Sequence, residues 1–332
     1  MKYNGTSWVN VGTAGFSAGQ AYYTSIAIDG SGTPYVVYMD NGNSQKATVK
    51  KYNGSTWETV GTAGFSANAV YHTSIAIDDN GIPYVVYKDA GNNYNATVKK
   101  YDGTSWVTVG TAGFSASMVD YTSIAIDGNG TPYVVYRDFA NSYKATVMKY
   151  NGTSWITVGT AGFSAGQADN TSIAIDGSGT PYVVYLDVGN SYKATVMKYN
   201  GTSWINVGTA GFSAGVIGYP SIAINSSGTP YVVYKDAANS SKATVMKYNG
   251  TAWETVGTAG FSSGSPDYTS IALNSSGTPY VVYTDGGNSN KASVMKLNMP
   301  PAPTPTLTGW ALILLTISAA GFGGWFVMKR FV

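Results

Sequence analysis

The sequence predicts an all-β chain, a ring of six four-stranded blades followed by one transmembrane helix. Three observations carry that expectation. Tryptophans fall at Trp8, Trp57, Trp106, Trp155, Trp204 and Trp253, each 49 residues after the last, and the same step relates Phe16 to Phe261 and Asp40 to Asp285. Each unit holds four short runs rich in β-branched and aromatic residues, the types that fit a pleated surface, separated by Gly, Asn and Pro. Beyond Asn298 the repeat stops, and Leu307 to Met328 runs without a charge.

Composition narrows the function classes. Of 332 residues, 41 are glycine and 27 tyrosine, only 11% are charged, and the net charge is +2. A disordered chain needs more charge and fewer aromatics. Nucleic-acid binding needs clustered Lys and Arg, so no nucleic-acid partner is expected. The absence of cysteine excludes disulfides, thiolate metal sites and cysteine catalysis. His72 is the single histidine, which leaves almost nothing for a His-rich metal site or a Ser-His-Asp triad.

Within a unit the strands are expected in a fixed order. In the fourth copy they are Thr171 to Asp176, Pro181 to Asp187, Lys193 to Tyr199 and Trp204 to Gly208, here termed a, b, c and d. The a–b turn, Gly177 to Thr180, places glycine ahead of the proline that opens strand b. The c–d turn contains Asn200-Gly201, the dipeptide favoured by type I′ hairpins. No run has the 3.6-residue apolar period of a helix. Trp155 and Phe163 are assigned to the space between blades, with Ile173 and Ile175 facing opposite to Ser172 and Ala174.

Four antiparallel strands repeating every 40–50 residues mark a propeller blade, which must stack on neighbours to bury both faces of its sheet. The chain resembles β-propellers with nearly identical blades. It opens near a d strand at Trp8, and its sixth unit ends after strand c. Pairing Trp8 to Val11 beside Lys291 to Leu297 is therefore expected to close the ring. The expected division is residues 1–298 as the propeller, 299–305 as a linker and 306–332 as a sorting signal.

In the tail, Met299 to Pro305 is proline-rich and predicts an extended spacer. The uncharged run after it is roughly 33 Å long as a helix, matching a hydrocarbon core of about 30 Å. Trp310 and Trp325 stand near its two ends, and Lys329-Arg330 follows it, which predicts a cytoplasmic C-terminus. Pro305, Thr306, Leu307 and Trp310, with the apolar span and Lys329-Arg330, resemble the IPTL-CTERM sorting signal, a relative of PEP-CTERM. Thr304 stands where that family has isoleucine. The resemblance covers about 28 residues and implies a Gram-negative surface protein. It implies a C-terminal helix in the inner membrane before processing, and an exosortase-like enzyme that acts on it. An exported chain should carry a leader, and Met1-Lys2-Tyr3 has none of its features. Met1 occupies the repeat position of Met148, Met197, Met246 and Met295. The expectation is a longer natural chain, with a signal peptide and further blades upstream.

Candidate functional residues come from positions that differ between copies. The stretch before strand a varies, and it supplies Tyr22, Tyr23, Tyr71, His72, Asp120, Tyr121, Asp169, Asn170, Tyr219, Asp267 and Tyr268. The b–c loop varies too, at Gln45, Tyr94, Tyr143, Tyr192, Ser241 and Asn290. In a four-stranded antiparallel blade both connections emerge at one end, so variation concentrates on one face of the disc. Binding residues usually sit in such loops, and tyrosine offers a ring plus a hydroxyl. Neutral drift in unpacked loops is the competing reading, and for His72 the plainer one is a surface substitution. The repeated Asp40, Asp89, Asp138, Asp187, Asp236 and Asp285 fit either a calcium ring or caps of their own turns.

The functional expectation is an exported, non-enzymatic binding protein at the cell surface or outer envelope, recognising a carbohydrate through repeated weak sites. Its partners would be an extracellular glycan or surface protein, the membrane, and the processing enzyme. No cofactor is required, with calcium the one candidate ion. A structural or protein-adhesion scaffold is the alternative. A hydrolase or lyase ranks behind both, since the repeats offer no asymmetric acid/base set and Glu58 and Glu254 sit on strand d.

Overall fold

The computed structural model describes residues 2–3 and 8–296. The spacer, the apolar span and the sorting motif lie outside the described residues. Among the described residues, no helix is long and apolar enough to cross a membrane.

The described residues form an all-β propeller of six blades. A short hairpin, β1 (Lys2–Tyr3) and β2 (Trp8–Val9), precedes blade one. Blade one is β3 (Ala21–Ile28), β4 (Pro34–Asp40), β5 (Lys46–Tyr52) and β6 (Trp57–Thr59). Blade two is β7 (Val70–Ile77), β8 (Pro83–Asp89), β9 (Asn95–Tyr101) and β10 (Trp106–Thr108). Blade three is β11 (Val119–Ile126), β12 (Pro132–Asp138), β13 (Lys144–Tyr150) and β14 (Trp155–Thr157). Blade four is β15 (Ala168–Ile175), β16 (Pro181–Asp187), β17 (Lys193–Tyr199) and β18 (Trp204–Asn206). Blade five is β19 (Ile217–Ile224), β20 (Pro230–Asp236), β21 (Lys242–Tyr248) and β22 (Trp253–Thr255). Blade six has β23 (Pro266–Leu273), β24 (Pro279–Asp285) and β25 (Lys291–Lys296). Every neighbouring pair is antiparallel, and sheet order follows chain order.

Strand b reads as a continuous apolar run because both of its faces are buried. In β16, Val183 and Tyr185 point back to blade three, while Tyr182, Val184 and Leu186 point on to blade five. Strand a obeys the same alternation, with Ile173 packing toward blade three and Ala174 toward blade five. Trp57, Trp106, Trp155, Trp204 and Trp253 each lock a junction. Trp155 stacks on Phe114 of the preceding blade, with ring centroids 4.2 Å apart, and its indole N–H donates to the Val109 carbonyl at 2.8 Å.

Three expectations need correction. Strand a starts three residues earlier than expected, at Ala168 in the fourth copy, because the variable stretch enters the sheet through a bulge between Asp169 and Ser172. The c–d turn is not a type I′ pair. Gly201 has positive φ but Asn200 does not, and Asn200 instead accepts the backbone N–H groups of Thr202 and Ser203 on its side chain. That closes a four-residue loop between Tyr199 and Trp204, which face each other. Lastly, β2 does not complete blade six. It pairs with β1, Tyr3 opposite Trp8, so the edge that β25 would use is already taken.

Candidate functional site

The first strands of successive blades pack on one another and line a cavity of about 820 Å³ along the axis. Tyr23, His72, Tyr121, Asn170, Tyr219 and Tyr268 all border it, one from each blade. The sequence placed these residues in loops that repeat one weak site around a disc. The structure places them inside the bulge of strand a, where they converge on one composite site.

The bulge explains both their position and their strain. All six have φ between 49° and 53°, the left-handed region that favours glycine, yet none is glycine. A non-glycine residue there costs on the order of 1–3 kcal/mol, and such strain gathers at functional sites. Threonines of the following blade clasp the strained backbone. Thr171 donates its hydroxyl to the Tyr121 carbonyl at 2.6 Å, and Thr73, Thr122 and Thr269 do the same to Tyr23, His72 and Tyr219. The side chains touch in sequence, with ring centroids 4.9 Å apart for Tyr23–His72, 5.0 Å for His72–Tyr121 and 4.8 Å for Tyr219–Tyr268. Burial raises the pKa of Tyr23, Tyr121 and Tyr219, so their hydroxyls stay protonated hydrogen-bonding groups.

The residues one position earlier divide in two. Tyr22 is exposed and bonds Gln20, while Tyr71 lies against Tyr23 and Tyr94. Asp120 and Asp169 instead belong to a charged network, and Asp267 to a separate ion pair. Arg137 reaches Asp120 at 2.5 Å and Asp169 at 2.6 Å, Lys88 reaches Asp120 at 2.6 Å, and Lys235 reaches Asp267 at 3.0 Å. His72 Nε2 stands 3.5 Å from the same Asp120. Burial alone would raise the Asp120 pKa, but His72, Lys88 and Arg137 outweigh it and hold the carboxyl well below the usual range. The guanidinium of Arg137 also lies 4.8 Å from the centre of the Tyr121 ring.

Lys88, Arg137 and Lys235 were missed from sequence. They share one position on strand b, which reads Met39, Lys88, Arg137, Leu186, Lys235 and Thr284 around the ring. That variation, inside an otherwise constant strand, was the available signal.

The repeated aspartates are turn caps. Asp40 accepts from the Gly42 backbone at 3.1 Å, Asn43 Nδ2 at 2.8 Å and Thr48 Oγ1 at 2.8 Å. Asp89, Asp138, Asp236 and Asp285 make equivalent contacts, and Asp187 keeps those to Asn190 and Thr195. Each is buried and engaged within its own blade. No cluster of three or more acidic or histidine side chains suited to a metal occurs among the described residues. The calcium ring therefore finds no geometric support.

No family model matches the chain, and no curated protein sequence matches it. Solved structures do match in fold. A mutant of the Aleuria aurantia lectin, in complex with Fucalpha1-6GlcNAc, aligns at 14% identity and a TM-score of 0.53, covering 85% of this chain and 97% of its own. The SapL1 lectin in complex with alpha methyl fucoside aligns at 17% identity and 0.54, covering 84% and 97%. The Penicillium chrysogenum alpha-L-arabinanase complexed with arabinobiose aligns at 12% identity and 0.55, covering 84% and 93%. At these identities the likeness defines the class, a β-propeller whose fold is shared by lectins and by enzymes acting on glycans, and nothing narrower.

Proposed function

We propose that this propeller is a carbohydrate-binding protein whose ligand enters the axial cavity and contacts the tyrosine-rich ring. The observation that carries the reading is the strained ring itself. Six side chains are held at positive φ to face one cavity, beside Arg137 and its carboxylates. Aromatic faces suit the apolar face of a sugar ring, and hydroxyl, amide and charged groups suit its hydroxyls. The lectin-type neighbours support the choice of ligand class by analogy of fold.

Binding is favoured over hydrolysis by the state of the acids. A glycosidase acid needs a carboxyl whose pKa is raised, whereas Asp120 is lowered and both Asp120 and Asp169 are held by Arg137. The proposal also includes export and attachment at a bacterial surface through the C-terminal sorting signal, on the strength of Pro305, Thr306, Leu307, Trp310 and the basic pair.

A glycan array probed with the purified full chain, with calcium and then with chelator, tests the reading. Saturable binding to one sugar class, unchanged by chelator and weakened tenfold or more by Tyr121→Ala, is expected. A silent array from folded protein would refute it and favour a protein-adhesion scaffold.

A further inference from the structure

Five blade junctions are built alike, and the junction between blades six and one is not. Ile75, the strand a residue that faces the preceding blade, is 5% exposed, whereas Ile26 at the same place in blade one is 57% exposed. On the other side of the opening, Val282 is 36% exposed, while its counterparts from Val37 to Val233 are fully buried. The threonine clasp, present at four of the five other junctions and replaced by Pro220 at the one between blades four and five, is also missing there. Among the described residues, Thr24 makes no bond to the Tyr268 carbonyl of the kind that Thr73 makes to Tyr23.

The hairpin β1–β2 shows what belongs in the opening. Tyr3 pairs with Trp8 in the register that Tyr52 keeps with Trp57, the register of strands c and d within a blade. Val11 then accepts the Trp57 indole N–H at 2.7 Å, as Val60 accepts that of Trp106 at 2.8 Å. The hairpin is thus the outer rim of a blade that precedes blade one. That blade is not blade six. Val60 and Phe65 donate their backbone N–H groups to Val49 and Ala47 of their own strand c, but among the described residues Val11 and Phe16 make no such bond to Val294 or Ala292.

We propose that the ring has a seventh blade place, held by β1–β2 at its rim, and that one more copy of the 49-residue unit, ahead of residue 2 on the same polypeptide, fills it. Such a copy supplies a d strand to β25 and strands a, b and c to the seventh place, and so covers both Ile26 and Val282. It also adds a seventh axial residue between Tyr268 and Tyr23.

The test compares the 332-residue chain with one in which residues 151–196 are duplicated ahead of Met1, both in detergent. In the shorter chain Ile26→Asp should leave the thermal midpoint nearly unchanged, while Ile75→Asp lowers it by about 10 °C or more, as burying an unpaired charge does. In the longer, monomeric chain both substitutions should be equally damaging. A longer chain still indifferent to Ile26→Asp overturns the proposal. So does a shorter chain already sensitive to it, as a closed six-blade ring or as a dimer covering its own opening. Hydrogen exchange on the unmodified 332-residue chain gives a second readout independent of any variant. Amides of β3 and β25 should exchange much faster than those of β7 and β21, and equal protection would overturn the proposal as well.

Discussion

Replacing Arg137 with glutamine removes the one charge shared by two blades' carboxylates. The side chain is 15% exposed and bridges Asp120 and Asp169 at 2.5 and 2.6 Å, with its Nε buried and unpartnered. Breaking a buried ion pair costs about 3–5 kcal/mol when the remaining charge is stranded. Here Asp120 keeps Lys88 at 2.6 Å and Asp169 keeps Gln167 at 3.1 Å, and the site is open to the axial cavity. A loss of about 2 kcal/mol is therefore expected at neutral pH. The cost should depend on pH in a defined direction. Asp120 is depressed in the folded protein, so its contribution is fully present above its ordinary pKa of about 4 and is lost as pH falls through the folded value. Urea unfolding of wild type and Arg137→Gln at pH 7 and at about pH 3 reads both effects, with the gap between them narrowing in acid. A gap below about 0.5 kcal/mol at pH 7, or one that widens in acid, would refute the assignment of this network as the clamp across blades three and four.

Trp155→Ala should cost about 4–6 kcal/mol, the sum of a buried aromatic truncation and an unpaired Val109 carbonyl, and Trp155→Phe about 1–2 kcal/mol because the stack on Phe114 survives. Equal midpoints for the two variants in urea unfolding would contradict that division. Tyr121→Gly should relieve on the order of 1 kcal/mol of backbone strain while removing a ring from the cavity, so stability holds or rises and glycan binding falls. Calorimetry and binding measured on the same preparation check it, and a stability loss above about 2 kcal/mol would mean that the ring is core and not site. Asn200→Ala should destabilise by about 1 kcal/mol through the loss of two bonds to its turn, as thermal unfolding would show, whereas a type I′ turn would lose far less.

Periodicity alone determined the blade, its strand order and its junction residues. A 49-residue repeat of tryptophan, phenylalanine and aspartate leaves one way for each unit to bury both faces of its sheet, so Trp155, Phe163 and Ile173 were assignable from the sequence. The aspartate caps were legible for a similar reason, because their partners lie within eight residues in the chain. What the chain could not reveal is what happens across the axis. A bulge moves Tyr23 and its counterparts from a loop into the inner strand, and only the stacking of blades brings residues 49 positions apart into one cavity. Lys88 and Arg137 find their partners Asp120 and Asp169 32 positions away in the chain, a pairing that only the packing of neighbouring blades creates. The opening between blades six and one was equally hidden, because a repeat pattern specifies the faces of each blade while the number of blades that closes the circle is set by the angle at which those faces pack.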